Sequence, residues 1–269
     1  LLDVRLVGVL QRIALVYLVS CLIFLFIAKA WHVTLFFALL ILYWALMMAM
    51  PYSLPDGSQA QGLLLSGNNL AAFIDHHLIG AKHLYLENTK PFASDPEGLL
   101  STLPAIASCM GGFLIADLLK RSGTPLLQVR NLFVMGFVCL ALAQLSNVWI
   151  PFNKNLWTPS YVLLAQGIAG CLLAVIVYLT DVKTIRFGTK PFVVFGVNAI
   201  ALFMLSGIVA RILLMIRIDD LSLKTWLFQF LQKIPVNPET QSLLFALGFL
   251  LFMYLPLYWM YQKRIFWKV

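Results

Sequence analysis

The sequence predicts an all-α, polytopic transmembrane helix bundle with about seven spans in this chain. Three observations predict it. Of the 269 residues, 61% are apolar and only 11% charged, against about 45–50% and about 25% in a soluble domain. The apolar residues come in runs of about the 20 residues that a helix needs to cross about 30 Å of hydrocarbon. Those runs lack the alternation of a membrane strand, so a barrel is excluded.

Seven segments qualify: 7–28, 33–51, 99–119, 131–150, 159–180, 191–216 and 241–261. The formal charge of +8 sits in short clusters at their ends, the placement expected of cytoplasmic loops, so no nucleic-acid partner is expected. Loops 120–130 and 181–190 hold Lys120, Arg121, Arg130 and Lys183, Arg186, Lys190 and are expected inside, with the C-terminal tail carrying Lys263, Arg264 and Lys268. Loop 52–98, with Asp56, Asp75, Glu87, Asp95 and Glu97 against Lys82 and Lys90, is expected outside. Threading seven helices through these assignments puts Leu1 outside, a start that leads us to expect earlier spans upstream. The short loops favour a bacterial inner membrane with a cytoplasmic C-terminus. Membrane lipids are the expected surroundings, and the oligomeric state stays open, a homodimer included.

Within the loops, Asn69 is a candidate N-cap for a short helix 70–79 that Gly80 ends. Leu223, Trp226, Leu227, Phe230, Leu231 and Ile234 recur at helical spacing, predicting an amphipathic interfacial helix at about 221–234. Residues 1–269 read as one transmembrane domain. The four cysteines, Cys21, Cys109, Cys139 and Cys171, lie inside spans, where sulfur acts as a small apolar group and implies neither a disulfide framework nor a metal site.

Each polar motif has a packing reading beside a functional one. Asp95-Pro96-Glu97-Gly98 precedes a span: Asp95 caps it, Pro96 takes its first turn and Glu97 meets its positive end, or a carboxylate there holds the amine of a sugar. Arg12 and Arg5, seven residues apart on nearly one helical face, either snorkel to the headgroups or line a polar cavity. Asn198 and Arg211 pose the same choice, and Asn198, lying deeper, suits helix-to-helix bonding. His76, His77 and His83 cluster near Asp75, but adjacent helical residues point about 100° apart, so no metal is expected. Ala105, Ser108, Gly111 and Gly112 form a small-residue face for close helix approach. In Asn153-Lys154-Asn155-Leu156-Trp157-Thr158-Pro159-Ser160, Trp157 suits an interface, Thr158 a cap and Pro159 a first helical position, while Lys154 and the asparagines could present donors to a substrate.

Taken in order, these stretches resemble the heparan-alpha-glucosaminide N-acetyltransferase family and its bacterial relatives. The residues that carry it are Arg5 with Gly8-Val9-Leu10-Gln11-Arg12, Ile74-Asp75 with Leu78-Ile79-Gly80, His83-Leu84-Tyr85, and Asp95-Pro96-Glu97-Gly98. Asn153 to Trp157, Ser160-Tyr161-Val162, Asp181-Val182-Lys183, Gly188-Thr189, Gly196 with Asn198, and Ile265-Phe266-Trp267-Lys268 continue it. Val7 stands where a proline is usual and His76 where an arginine is common.

The resemblance implies a multipass enzyme that takes acetyl-CoA from the cytoplasm and acetylates an amino sugar or envelope saccharide across the membrane. It places the family's reactive histidine upstream of Leu1, with no counterpart here, so the catalytic residue is unknown within this chain. Under that reading Asp75, Glu97, Lys154 and Asn155 orient the acceptor, and Arg12 and Asn198 line the channel for the pantetheine arm. Lys120, Arg121, Lys183, Arg186 and Lys190 would face the phosphates of coenzyme A. The rival readings are a sugar permease and a noncatalytic membrane scaffold.

Overall fold

A computed structural model describes residues 4–218 and 220–267. The tail cation Lys268 and the first residue, Leu1, lie outside the described residues. The chain divides into two compact units, Leu1–Thr184 and Ile185–Val269, each described by itself.

The first unit holds α1 (Val9–Phe26), α2 (His32–Ala49), α3 (Leu70–Leu78), α4 (Thr102–Arg121), α5 (Pro125–Asn147) and α6 (Pro159–Val177). All but α3 are long and apolar enough to span a bilayer. Their outward faces carry Leu22, Leu25, Phe26, Ile41, Phe137 and Leu172, all exposed, a distribution stable only where the surrounding solvent is lipid. Inside, Val16, Phe36, Leu40, Ala105, Ile106, Ala107, Met110, Ala143, Val162 and Leu163 make a continuous core.

The tightest helix contact is between α5 and α6. A Cβ at Gly136 would stand 3.0 Å from the Gly167 carbonyl, and one at Gly167 would stand 2.9 Å from the Gly136 carbonyl. Only glycine lets two backbones meet this closely. The small face foreseen on α4 serves other purposes: Gly112 faces open space, while Gly111 and Ser108 meet side chains of α6 and the 151–158 turn.

Loop 52–98 is packed. A hairpin of β1 (Tyr52–Ser53) and β2 (Gln59–Ala60) and the short α3 share a core of Tyr43, Met47, Tyr52, Ala60, Leu70, Ala71, Ala72 and Phe92. Asn69 caps α3 by accepting the Ala72 N–H at 2.9 Å, and Gly80, at φ 89°, turns the chain away, as the sequence predicts.

The second unit contains α7 (Thr189–Val197), α8 (Ala199–Met215), a hairpin of β3 (Arg217–Ile218) and β4 (Leu221–Ser222), α9 (Leu223–Gln232) and α10 (Pro238–Gln262). Here α9 is the amphipathic helix foreseen at 221–234, capped by Ser222, whose hydroxyl accepts the Thr225 N–H. One expectation is corrected. The segment 191–216 is not one straight span: α7 and α8 meet at 83°. The break is at Asn198, outside helical geometry at φ −131°, ψ 39°. Its buried amide donates to the Ile265 carbonyl at 3.1 Å and accepts the Trp267 N–H at 2.9 Å. Asn198 therefore binds the C-terminal segment rather than a neighbouring helix. Among the described residues six helices reach spanning length, seven spans if the bent pair is one, so the chain is an integral multi-pass membrane protein.

Asn198→Leu should leave two backbone groups of the tail unpaired, costing about 1–3 kcal/mol each. The expected outcome is a lower melting temperature in detergent and faster tryptic cleavage at Arg264; an unchanged cleavage rate would show that the clamp does not hold the tail.

Candidate functional site

The site grows from two arginines at the start of the first unit. Arg12 lies one turn inside α1 and is only 8% exposed. A guanidinium at that depth is tolerated only where protein groups replace water. Its Nη1 donates to the Pro96 carbonyl at 2.6 Å and Nη2 to the Ser101 carbonyl at 2.8 Å, and its Cζ lies 4.4 Å from the centre of the Trp157 ring. Arg12 does not snorkel; it is the post around which residues 96–101 fold.

Arg5 has the same role nearer the surface. It lies ahead of α1, which begins at Val9, so the shared helical face expected for Arg5 and Arg12 does not form. Its Nε and Nη2 donate to the two oxygens of Asp95 at 2.9 and 2.6 Å, and Nη2 also reaches Glu97 Oε2 at 2.6 Å. The forked geometry makes these charge-assisted bonds strong. Hydrogen bonding to Asp95 holds the Arg5 pKa above its ordinary value despite partial burial.

The capping reading of Asp95 is corrected accordingly. The helix α4 begins at Thr102, and Asp95 instead accepts the Tyr85 and Glu97 N–H groups, both at 2.9 Å, besides pairing with Arg5. Glu97 stays partly open, its side chain 21% exposed. Asp75, on α3, is 1% exposed, and its Oδ1 accepts the Leu99 N–H at 2.8 Å. A Cβ at Gly98 would fall 1.8 Å from Asp75 Oδ2, so the carboxyl lies directly on the backbone at Gly98. Burial pushes the Asp75 carboxyl up to about 6, although the Leu99 N–H and the Arg12 charge pull the other way.

The turn 151–158 closes the site. Asn153 Oδ1 accepts the Asn155 and Leu156 N–H groups, an Asx-type turn. Thr158 bonds Asn153 N and the Pro151 carbonyl instead of capping α6, where Pro159 takes the first position. Trp157 packs against the core, and its Nε1 donates to Ser108 Oγ at 3.0 Å. One turn below, Gln166 Nε2 donates to the Ser108 carbonyl at 2.7 Å. A polar thread thus runs from Arg12 through Trp157 and Ser108 to Gln166, with Glu97 lining the same groove as Arg12.

Three spaces adjoin this thread. A polar cavity of about 60 Å³, lined by Asn69, Asp75, Asp95, Ser101, Asn153 and Asn155 among others, has room for a few waters but not a sugar ring. A groove of about 430 Å³ runs down α1 and α4 from Glu97, Arg12 and Trp157 past Ala105, Ser108 and Cys109. A second groove of about 540 Å³ lies between α2, α4, α5 and α6, from Asp117, Arg121 and Asn131 up to Gly111 and Gln166. Both grooves are of ligand size. They occupy opposite faces and opposite halves of α4.

The structure sorts the residues foreseen from sequence. Arg12 and Glu97 share one groove, whereas Asp75 and Asn155 line the small cavity. Lys154 is exposed on the turn. Arg121 lines the larger groove, held by Asp117, which also pairs with Lys29, and Lys120 is exposed beside it. Lys183 is exposed over the Tyr178 ring at 5.7 Å. Arg186 and Lys190 belong to the second unit, Lys190 donating to Tyr258 Oη at 3.1 Å. Asn198 also lies there, with its amide committed to the tail. Trp157, Ser108 and Gln166 were not foreseen as a set, since each is ordinary in its own stretch and they meet only across three segments.

The histidines are packing and hydrogen-bonding groups. His76 Nδ1 faces the Ala93 N–H at 3.2 Å, His77 packs on Phe73, and His83 Nδ1 meets the Val4 carbonyl at 2.7 Å. Among the described residues no group of three or more His, Cys, Asp or Glu side chains is placed to hold a metal ion.

No family model matches the chain. Two known proteins are similar to it, both heparan-alpha-glucosaminide N-acetyltransferases. The human protein is 26% identical over 99% of this chain and 44% of its own length. The mouse protein is 30% identical over 49% of this chain and 22% of its own length. The chain is distantly similar to those acetyltransferases. It spans less than half the length of either relative.

The Asp75 carboxyl gives a test of the site's folding. Because its pKa rises from 3.8 to about 6, its contribution is complete below about pH 4 and is lost as the pH rises through about 6, by up to about 3 kcal/mol. Melting curves in detergent should show a stability loss over that window that Asp75→Asn flattens. Gly98→Ala, by contrast, should destabilise at every pH, since its Cβ has no space beside Asp75.

Proposed function

We propose that this chain forms the body of a transmembrane acetyltransferase, which moves an acetyl group from cytoplasmic acetyl-CoA to an amino sugar or related envelope saccharide on the other side. One observation carries the reading: two ligand-sized grooves lie on opposite faces and opposite halves of α4, one lined as far as Ser108 and Cys109 and the other from Gly111 and Gln166 to Arg121. A permease needs one site that faces both sides in turn; a two-substrate transferase needs two sites that converge. The distant likeness to proteins named N-acetyltransferases supports the same reading.

On this reading the groove ending at Asp117, Arg121 and Asn131 is the donor side and faces the cytoplasm, in keeping with the positive charge there. Arg121, with Lys120 nearby, meets the phosphates of coenzyme A, and the apolar walls take its pantetheine arm. The groove headed by Glu97, Arg12 and Trp157 is the acceptor side. Glu97 has the charge to hold an ammonium, and the Trp157 ring edge gives a sugar face an apolar surface. Asp75 and Asn155 support that floor from the water-sized cavity behind it.

The chemistry is transfer of an acyl group. The acceptor ammonium gives up a proton to a base, the freed nitrogen attacks the thioester carbonyl, and the carbon–sulfur bond breaks as the carbon–nitrogen bond forms, the nitrogen's next proton passing to the departing sulfur so that coenzyme A leaves as its thiol. No histidine lines the Glu97 groove among the described residues, so the histidine base that the family resemblance implies lies outside it.

The test is transfer across a membrane. Proteoliposomes loaded with labelled acetyl-CoA should label glucosamine in the external medium; label that never appears there would defeat the proposal, and sugar uptake without acetylation would favour a permease. Glu97→Gln should lower turnover by about tenfold or more, the scale of one charge-assisted hydrogen bond. Its melting temperature should change little, because Asp95 keeps both of its bonds to Arg5.

A further inference from the structure

Where the α4 residues that line the smaller groove give way to those that line the larger, one side chain of α6 packs onto the helix. Gln166 reaches from the middle of α6 onto α4, where its Nε2 donates to the Ser108 carbonyl at 2.7 Å. It can lie there only because residue 111 is glycine: a Cβ at Gly111 would stand 2.7 Å from Gln166 Cδ, 2.8 Å from Nε2 and 2.9 Å from Oε1. The amide therefore occupies the volume that any other residue at 111 would fill. Gln166 and Gly111 line the larger groove, and Ser108, one turn earlier on α4, lines the smaller.

An amide at membrane depth is expensive unless it is bonded on all sides. This one is bonded on one. The Ser108 carbonyl is an interior helix carbonyl, already the acceptor of the helix's own ladder, so the bond to Gln166 is a second, shared one. Gln166 Oε1 accepts no hydrogen bond from the described residues, and the residue lines the larger groove. A weakly held amide with an open acceptor costs little to displace, and it offers a hydrogen bond to a donor arriving from that side.

We propose that Gln166 is the barrier between the two grooves, and that its displacement opens a passage along α4 for a linear, amide-bearing chain. An amide N–H of the arriving chain takes Oε1 as acceptor and draws the side chain off Ser108, so the passage opens to chains that carry such a group. The identity of that chain as the acyl donor's arm rests on the acetyltransferase reading; the barrier itself does not.

Two native cysteines flank the barrier: Cys139 lines the larger groove and Cys109 the smaller. In a protein whose other three cysteines are alanine, Cys109 should react slowly with a charged, membrane-impermeant methanethiosulfonate added from the face that carries Arg121. Gln166→Ala should raise that rate about tenfold, the scale of one lost hydrogen bond, and Gln166→Ala with Gly111→Ala should bring it back down by refilling the space. Cys139, as the only cysteine, should react from that face at one rate with or without Gln166→Ala, which checks that the variant is folded; Gln166→Ser serves if the alanine variant fails that check. Cys109 rates that are equal in all forms, or already fast with Gln166 in place, overturn the barrier. Because the readout is thiol labelling, it can fail while acetyl transfer succeeds, and the reverse.

Discussion

The first unit depends on a cation that lipid cannot solvate. Arg12 enters the bilayer within α1, and its guanidinium is stable there only because two carbonyls, of Pro96 and Ser101, and the face of Trp157 converge on it. Those three partners come from a loop and from the turn before α6, so satisfying one charge fixes the mutual placement of α1, the start of α4 and residues 151–158. Arg5 repeats the device nearer the surface, where Asp95 and Glu97 are available as partners. The polar end of the smaller groove is formed by Arg12 and by Glu97, the carboxylate that Arg5 holds.

The second constraint is steric. Glycine pairs allow α5 and α6 to pack backbone to backbone at Gly136 and Gly167, which draws α6 close and leaves α4 bounded by a groove on each side. The helix α4 then acts as a partition. Its small residues do not serve one close helix contact; Ser108 receives Trp157 on its hydroxyl and Gln166 on its carbonyl, and Gly111 yields its side-chain volume to Gln166. A glycine at 111 and a glutamine at 166 are one feature of the structure.

The distribution of carboxylates follows from solvation. Asp75 is walled in by backbone and holds the Leu99 N–H, whereas Glu97 keeps an open edge to the groove. As residue types, both are equally suited to an amine. Only the one with access can meet a ligand directly, and the other sets the position of the segment that carries it.

Hydrophobicity and the charge of the loops were enough to read the helical, membrane-spanning class, most span positions, the Asn69 cap and the amphipathic helix α9, because each depends on residues close together in the chain. The ordered motifs were enough to read the family resemblance. Tertiary structure alone decided that Asp95 pairs with Arg5 rather than capping α4, that Asn198 breaks a span to hold the tail, and that Trp157 packs against the core. It alone placed Gln166 against Gly111. In each case a polar group chooses its partner by what burial leaves within reach, and that choice is made between segments tens of residues apart, beyond any local pattern.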